Sequence, residues 1–196
     1  MADFRFRTPL TEEDVRKLRI GDTVTLDGHV FGIRDANMIR IFDGGIAPPV
    51  DWKGAALLHT APNVRQTSPG KFEPICVGTT TSMRMDRFTE GLLRDYGVRA
   101  ILGKGGLSDV SAQAMQKYGG CYLTVTGGAA ASETLQLEEI EAVYWEDLMP
   151  ESIWQFRFKG FGPLIVGIDS HGGNLHREVA DQSRVKMEEV LKRMGV

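Results

Sequence analysis

The stretch from residue 78 to residue 106 constrains the fold of this chain more than any other part of the sequence. It begins with Gly78-Thr-Thr-Thr-Ser-Met-Arg-Met-Asp86. Hydroxyl side chains of this kind favour helix N-caps, because they accept hydrogen bonds from the free amides of the first turn. Apolar residues at helical spacing then continue to Tyr96, and Gly97 is a residue that commonly closes a helix. The stretch therefore predicts a helix that begins at the hydroxyl-rich turn and ends at Gly97.

The second half of the same stretch predicts a strand, a glycine loop and another helix start. Residues 98–102 form an apolar run, Gly103-Lys-Gly-Gly106 follows it, and Ser108 is placed to cap a second helix. Helix N-termini gather free amide donors and a partial positive charge, to which Arg84 and Lys104 add whole charges. The pattern predicts a site for an anion between the two helix starts.

Length and composition allow one good-sized domain or two small ones, and because no convincing linker divides the chain we assign a single domain to residues 1–196. The chain has 196 residues and 42% hydrophobic content, enough to fill a core. Its 23 Lys and Arg stand against 26 Asp and Glu, and the net charge is −3. Because this balance lacks the basic excess of nucleic-acid binders, we expect no nucleic-acid partner, and any positive site must be local.

The cysteines and the hydropathy of the chain favour a reducing compartment. Cys76 and Cys121 are the only two cysteines, and each lies in an apolar, strand-like context far from the other. This spacing argues against a zinc site or a disulfide framework, so we expect two buried thiols. We find no apolar run of signal-peptide type at the N-terminus and no segment of membrane-spanning length. A cytoplasmic protein without a membrane partner is the expectation.

The remaining patterns predict an α/β fold of β/β/α type, with a β-rich first third and α/β alternation around one core. Thr11 and Asp14 form a capping box for a short first helix, and Asp27-Gly28 predicts a hairpin between two strands. Helices and strands then alternate from residue 82 to residue 131. The last segment, residues 179–194, has the pattern of an amphipathic helix.

Three cations stand where strands end or helices begin, and each has two interpretations. Arg34 is either a surface ion pair with Asp35 or a guanidinium that Asp35 orients toward a carboxylate. Thr80 and Arg84, four residues apart, share one helix face, or Thr80 is only a cap and Arg84 a surface residue. Lys104 lies among glycines that let a ligand approach the backbone closely. The three cations together suit a small ligand with two carboxylates.

Other motifs are weaker evidence for a binding site. Gly103-Lys-Gly-Gly106 lacks the frame of a nucleotide P-loop. Gly127-Gly128 either brings backbone amides to the same pocket or forms a plain strand-to-helix turn. His171 and His176 lack a third ligand at the usual spacing, so we interpret them as surface histidines, and His29 and His59 as structural.

Four motifs make the chain similar to a known family. They are Gly78-Thr-Thr-Thr-Ser-Met-Arg-Met-Asp86, Gly103-Lys-Gly-Gly106, Gly127-Gly-Ala-Ala130 and Phe161-Gly-Pro-Leu-Ile-Val-Gly-Ile-Asp-Ser-His-Gly172. In order and spacing they resemble the β subunit, or C-terminal domain, of class I fumarate hydratases and of the related L-tartrate dehydratases. The likeness covers nearly the whole chain.

The resemblance implies a swivelling β/β/α domain that hydrates fumarate to L-malate together with a partner. In that family a separate α subunit holds a [4Fe-4S] cluster through three cysteines, and the assembly is a hetero-oligomer, with α2β2 as one possibility. By matching positions, Arg34, Arg84 and Lys104 would bind the dicarboxylate, and Thr80 would be the base that moves the proton next to a carboxylate. No cluster is expected on this chain alone.

The sequence leaves three alternatives open. The resemblance fits an L-tartrate dehydratase β subunit as well as a fumarate hydratase. A free-standing, non-catalytic anion-binding regulatory module would use the same cations, and an aconitase-like swivelling domain would serve a different hydroxy acid. The chain also departs from the family, since Asn37-Met38 stand where a histidine often follows the Arg-Asp pair.

Overall fold

The computed structural model describes residues 1–195. Its strands and helices alternate, as the sequence predicts for a mixed α/β fold. The strands are β1 (Asp3–Arg7), β2 (Thr23–Ile33), β3 (Ala56–His59), β4 (Asn63–Ser68), β5 (Lys71–Cys76), β6 (Ala100–Gly103), β7 (Cys121–Thr124), β8 (Leu137–Tyr144) and β9 (Ile153–Ile168). The α-helices are α1 (Glu12–Arg16), α2 (Asp35–Phe42), α3 (Thr89–Tyr96), α4 (Asp109–Tyr118), α5 (Ala130–Leu135) and α6 (Leu175–Met194), and 3-10 helices cover Ser82–Phe88 and Glu146–Leu148.

Five strands close into a ring. β2, β3, β6 and β7 are neighbours in that order and run parallel. The long strand β9 is antiparallel to β7 on one side and to β2 on the other, which closes the barrel. β1 adds to β2, β8 adds to β9, and β4 and β5 form a separate hairpin. Because closure leaves few free edges, the ring is a rigid base for whatever lies at its ends.

The strands of the ring are buried on both faces. Leu58, Leu102 and Leu123 belong to one apolar cluster, which also contains aromatic residues of β9. Their preceding residues Leu57, Ile101 and Tyr122 belong to a second cluster, together with apolar residues of α2, α3 and α4. Successive side chains of a strand point to opposite faces, so one cluster fills the barrel and the other lies under the helices. This double burial explains why these strands read as continuous apolar runs.

Several local predictions are confirmed. Thr11 and Asp14 form both halves of a capping box at the start of α1. Gly97 and Gly119 close α3 and α4 in the left-handed conformation, with φ of 65° and 71°. Ser108 caps α4 by accepting from the amide of Ser111. These features depend on a few neighbouring residues, which is why the sequence alone predicts them well.

The hairpin predicted at Asp27-Gly28 is wrong. β2 continues through this pair, and Gly28 has a φ of +103° within the strand. A Cβ at Gly28 would lie 2.8 Å from the hydroxyl oxygen of Thr8, so the glycine lets Thr8 pack closely. The register against β9 also shifts between Leu26 and Gly28. The glycine therefore marks an irregularity within one strand instead of a chain reversal.

The predicted hydroxyl cap of the helix after residue 80 is also wrong. The segment Ser82–Phe88 is a 3-10 helix, and its N-cap Thr81 makes no side-chain capping bond. The amide of Ser82 donates to the carbonyl oxygen of Lys104 at 2.9 Å. At α4, Asp86 accepts from the amide and hydroxyl of Ser108, at 2.8 and 2.7 Å. The anion at that helix start is thus a carboxylate of the protein itself.

Two burial predictions need correction. Cys121 is fully buried, as expected, but Cys76 is half-buried because β5 belongs to the separate hairpin. His176, expected on the surface, is half-buried, with its ring 6.2 Å from that of Tyr122. Within the described residues, no helix combines the length and the apolar character that crossing a bilayer requires.

Candidate functional site

The candidate site lies where the four parallel strands of the ring end. Arg34 follows β2, His59 is the last residue of β3, Lys104 follows β6, and Gly127 comes shortly after β7. Because the strands are parallel, these ends share one rim of the barrel. Crevices beyond the carboxyl ends of parallel strands are common ligand sites in α/β folds. The fold therefore brings the three sequence-predicted cations and Thr80 to one rim.

Arg34 and Arg84 share one carboxylate. The Nε atom of Arg34 lies 3.4 Å from Oδ2 of Asp35. The Nε atom of Arg84 lies 3.4 Å from Oδ1 of the same residue. Asp35 is three-quarters buried, whereas the side chain of Arg84 is 57% exposed. The sequence suggested only the first contact, and the second joins two guanidinium groups that are fifty residues apart in the chain.

A second carboxylate, that of Glu151, also contacts Arg34. Its Oε1 lies 3.4 Å from Nε of Arg34, and its Oε2 accepts from the amide of Ala36 at 2.7 Å. This hydrogen bond satisfies a free amide in the first turn of α2. Glu151 precedes β9 in the chain, so sequence spacing gave no sign that it belongs here.

Asn37, which the resemblance noted in the sequence places where a histidine often stands, is a buried residue with a structural role. Its Oδ1 accepts from the amide of Arg34 at 3.1 Å. Its Nδ2 donates to the carbonyl oxygens of Glu151 and Ser152, at 2.9 and 3.3 Å. These bonds fix the backbone of Arg34 against the segment that carries Glu151. The position thus supports the arginine without facing a ligand.

Thr80 is held between the ends of β3 and β6. Its amide donates to the carbonyl oxygen of His59 at 2.8 Å. The neighbouring residues form isolated bridges, Thr79 with Thr60 and Thr81 with Lys104. Thr80 is half-buried, as expected for a residue at the rim and not in the core. Backbone contacts on both sides therefore fix the position of this side chain.

Lys104 is half-buried beside the glycine turn that follows β7. A Cβ at Gly127 would lie 3.6 Å from Cδ of Lys104, so the turn and the lysine are neighbours. The positive charge of Lys104 also acts on Glu133 of α5. Burial raises the pKa of Glu133 to about 7, and Lys104 opposes this shift. Neither carboxyl oxygen of Glu133 has a hydrogen-bond partner among the described residues.

The charges of the rim nearly balance. Three cations, Arg34, Arg84 and Lys104, face two carboxylates, Asp35 and Glu151, so the sum of these five is +1 when all are ionised. Asp35 and Glu151 both contact Arg34. Neither of these two carboxylates directly compensates the charge of Lys104. The site is thus less positive than the sequence suggested, and its arginines are oriented instead of free.

A hydrogen-bonded group lies beneath the rim. Nδ1 of His59 and the hydroxyl of Tyr122 each lie 2.9 Å from Oγ of Ser82. A Cβ at Gly103 would overlap Oγ of Ser82 and lie 3.2 Å from the Tyr122 hydroxyl. Burial lowers the pKa of His59 to about 4 and raises that of Tyr122 to about 12, so both are neutral near pH 7.

Sequence reasoning did not predict that these three residues are hydrogen-bonded to one another. His59 and Tyr122 lie in apolar strand patterns, and Ser82 looks like a helix cap. The available signal was positional, since His59 and Gly103 both end strands that are parallel and adjacent. Polar residues at such ends meet at one edge of the sheet.

The cysteines of this chain do not fit an iron-sulfur cluster. Cys121 lies in the barrel core, and burial raises its pKa to about 12, whereas a cluster ligand is a thiolate. Cys76 lies on the separate hairpin. In residues 1–195, no group of three or more His, Cys, Asp or Glu side chains is close enough to hold a metal ion.

Comparisons with known proteins show which family the chain belongs to. The family model described as "Fumarase C-terminus" matches residues 2–179. The L(+)-tartrate dehydratase β subunit of Escherichia coli K12 is 40% identical over 172 residues, which cover 87% of this chain and 85% of that protein. A candidate L(+)-tartrate dehydratase β subunit of Methanocaldococcus jannaschii is 32% identical, over 93% of this chain and 95% of its own length.

A longer relative shows the same domain as part of a larger chain. A candidate class I fumarate hydratase of Geobacillus stearothermophilus is 34% identical over 184 residues. The match covers 93% of this chain but only 35% of that protein. Since the family model and these relatives cover most of its length, this chain belongs to the fumarase C-terminus family.

Proposed function

We propose that this chain is the β subunit of a hydro-lyase that adds water to, or removes it from, a four-carbon dicarboxylate. The observation that carries the proposal is the convergence of Arg34, Arg84, Lys104 and Thr80 on one rim of the barrel. Two guanidinium groups and an ammonium suit the two carboxylates of such a substrate, and Thr80 lies in the segment that pairs with Lys104. The family and the named relatives support the same reaction class.

The three cations bind and orient the substrate in this proposal. Arg34 and Arg84 both lie at ion-pair distance from Asp35, and in the proposal this shared carboxylate orients their remaining N–H groups toward the substrate. A planar guanidinium binds a carboxylate through two parallel hydrogen bonds, which sets the angle of the ligand. Lys104 supplies a point charge for the second carboxylate. Orientation of this kind lowers the entropy cost of reaching the transition state.

Thr80 is the proposed base, which takes the proton from the carbon beside a carboxylate and returns it in the reverse direction. A threonine hydroxyl is a very weak acid, so its alkoxide forms only where the local potential is positive. Arg84 and Lys104 provide that potential. The same cations stabilise the negative charge that the substrate carboxylate gains when the proton leaves.

The proposal includes a partner that would hold the cluster, because the two cysteines of this chain do not fit one. A [4Fe-4S] cluster on an α subunit would supply an iron that acts as a Lewis acid toward the substrate hydroxyl. Arg84 is more than half exposed, so the rim is open to another surface. We propose that the chain works as one swivelling domain in a cytoplasmic hetero-oligomer, for which α2β2 is the simplest arrangement.

Two substrates fit the proposal. Fumarate, hydrated to L-malate, and L-tartrate both carry two carboxylates at the distance of a four-carbon chain. The identity of 40% to a tartrate dehydratase β subunit, against 34% to a candidate fumarate hydratase, favours tartrate. Assays with fumarate, L-malate and L-tartrate on the same preparation would rank them by kcat/KM.

The test is a pair of threonine variants in the assembled enzyme. The chain is co-expressed with a cluster-bearing α subunit under anaerobic conditions, and hydration and dehydration rates are measured. Thr80→Val should lower kcat by about a thousandfold, because it removes the base and keeps the shape. Thr81→Val is the matched control, since the Thr81 side chain makes no capping bond. Near-full activity of Thr80→Val would show that the base is another group.

A non-catalytic anion-binding module is the second candidate, favoured by the cations that this chain presents by itself. Calorimetry on the chain without a partner, with L-malate, L-tartrate and phosphate, separates the two candidates. Tight binding with no activity in any assembly supports the module. Weak binding alone and activity with the α subunit support the hydro-lyase.

A further inference from the structure

The last helix, α6, leaves the body of the domain after its first turn. From Arg177 onward, every residue of α6 whose burial the structure describes is exposed. At 1.5 Å per residue this exposed part is about 27 Å long. Beyond Arg177, the described side chains of α6 bond only within the helix, as Ser183 does to the carbonyl oxygen of Val179 at 2.7 Å. Helices in proteins owe most of their stability to packing of one face, so a helix exposed over this length is suited to docking.

One side of the exposed helix carries an apolar stripe. Residues three and four apart lie on the same helix face. Five residues follow this spacing without a break and form what we call the α6 seam: Ala180, Ser183, Met187, Val190 and Met194. The Met and Val side chains of the seam are at least half exposed. Alternation of three and four residues is the spacing through which two helices pack side by side.

The charges at the two edges of the seam are basic. Arg184 lies at one edge, and Lys186 and Arg193 lie at the other. If two copies of α6 paired, parallel or antiparallel, a basic edge would face a basic edge, and such like-charge contacts are costly. Charge complementarity therefore favours a different partner, whose apolar surface is bordered by carboxylates.

The base of α6 lies beside the glycine loop that carries Lys104. A Cβ at Gly106 would lie 2.8 Å from the ring of His176, so the first turn of the helix packs on this loop. Arg177 pairs with Asp109, in the first turn of α4, at 3.1 Å. A protein that covers the rim at Lys104 therefore lies next to the start of α6.

We propose that α6 is a docking helix for the cluster-bearing α subunit, and that the α6 seam packs on an apolar surface of that subunit with an acidic border. The inference rests on the proposed function, which places this partner over the rim. The family model matches residues 2–179, so the whole seam lies beyond the matched part. This position suits a contact that selects the α subunit of this particular enzyme and takes no part in the reaction.

A membrane surface fits α6 less well than a protein does. Helices that lie on membranes anchor through Trp, Phe and Leu, whereas Leu175–Met194 contains no Trp, Phe or Tyr. Its five Lys and Arg stand against four Asp and Glu, a net charge of only +1. Attraction to anionic lipids grows with the number of basic residues near the surface, so this balance gives little of it.

The test compares two exposed valines on opposite sides of the helix. Val190 belongs to the seam and is 50% exposed, whereas Val185 lies on the back and is 59% exposed. Val190→Lys should raise the dissociation constant of the complex with the α subunit by about tenfold or more, because it places a charge in an apolar contact. Val185→Lys makes the same change in the same helix and should stay within about twofold of wild type. Equal dissociation constants for the two variants would overturn the proposal.

Two lysines test the acidic border in the same way. Lys186 lies at an edge of the seam, and Lys192 lies on the back of the helix. Lys186→Glu should weaken the complex by about fivefold or more at low salt, and the effect should shrink as salt is added. Lys192→Glu should bind as wild type does. Equal effects of the two substitutions would overturn the proposed border.

Two other occupants of the seam have outcomes of their own. If sedimentation shows that the chain alone is a dimer, and that Val190→Lys but not Val185→Lys dissociates it, a second copy occupies the seam and the proposal is wrong. Vesicles of equal parts phosphatidylcholine and phosphatidylserine test the membrane. Binding of the chain to these vesicles that Val190→Lys alone abolishes would overturn the proposal as well.

Activity separates this inference from the proposed function. At saturating α subunit, Val190→Lys should keep the kcat of wild type, because the seam lies outside the rim. If Val190→Lys weakens assembly and no assembly acts on a dicarboxylate, the docking helix stands and the hydro-lyase proposal fails. If the complex is active and both valine variants assemble equally well, the hydro-lyase proposal stands and the docking helix fails.

Discussion

The Nε atom of Arg84 lies 3.4 Å from Oδ1 of Asp35, and this contact joins the 3-10 helix before α3 to the start of α2. Asp35 also faces Arg34 at 3.4 Å, so one carboxylate orients two guanidinium groups. The arginines are therefore pre-organised before any ligand arrives, which is a general way to gain affinity and rate.

Asp35→Asn is expected to separate affinity from rate in the complex with the α subunit. The amide keeps the shape but releases both arginines, so kcat should fall by about tenfold. The lost negative charge raises the positive charge of the rim, so KM for the dicarboxylate should change by less than about threefold. A large rise in KM with kcat unchanged would show that Asp35 acts on binding alone.

Gly103→Ala tests whether the group beneath the rim is tightly packed. The new methyl would overlap Oγ of Ser82 and crowd the Tyr122 hydroxyl, so we expect a loss of about 1–3 kcal/mol in the free energy of unfolding. Gly127→Ala is the matched control, because its Cβ would meet Lys104 at an ordinary 3.6 Å. Urea unfolding measures the stability of both variants. Equal stabilities would contradict tight packing around Gly103.

Glu133→Gln tests the buried carboxyl of α5. Its pKa is raised from 4.5 to about 7 by burial, so between these values the unfolded chain releases a proton that the folded chain keeps. The folded state therefore loses stability as the pH rises through this range. The variant cannot ionise at this position. Its free energy of unfolding relative to that of wild type should therefore be about 2 kcal/mol higher at pH 8 than at pH 4.5. Urea unfolding at the two pH values should show this difference, and parallel pH profiles would contradict it.

The two cysteines should differ in reactivity. Cys121 is fully buried, and burial raises its pKa to about 12, whereas Cys76 is half-buried. Thiol reagents attack the thiolate, so the folded chain should react at Cys76 and react at both thiols only after unfolding. A count of modified thiols by mass spectrometry decides this. Two fast-reacting thiols in the folded chain would contradict the burial of Cys121.

Sequence patterns predicted the features that depend on neighbouring residues. Gly97 and Gly119 end helices because they adopt the left-handed conformation, and Thr11 with Asp14 forms a local capping box. Arg34 and Lys104 were recognisable because both follow apolar strand runs. Parallel strands bring such ends together, which makes the rim partly predictable.

The features that the sequence did not predict depend on contacts between distant segments. The ring closes through pairing of β2 with β9, more than a hundred residues later in the chain, and this pairing continues on both sides of Gly28. Glu151 reaches Arg34 from the start of β9. Ser82 resembles a helix cap, but its hydroxyl contacts His59 and Tyr122 because Gly103 leaves room. No local pattern carries this information.

The most direct test of the shared site is a pair of arginine variants in the complex with the α subunit. Arg84 contacts Asp35 at the rim, whereas Arg87, three residues later, is paired with Asp43 on the surface. Arg84→Gln should raise KM for the dicarboxylate by about tenfold or more, and Arg87→Gln should leave kcat and KM within about twofold of wild type. Equal effects of the two substitutions, or an unchanged KM in Arg84→Gln, would contradict the account.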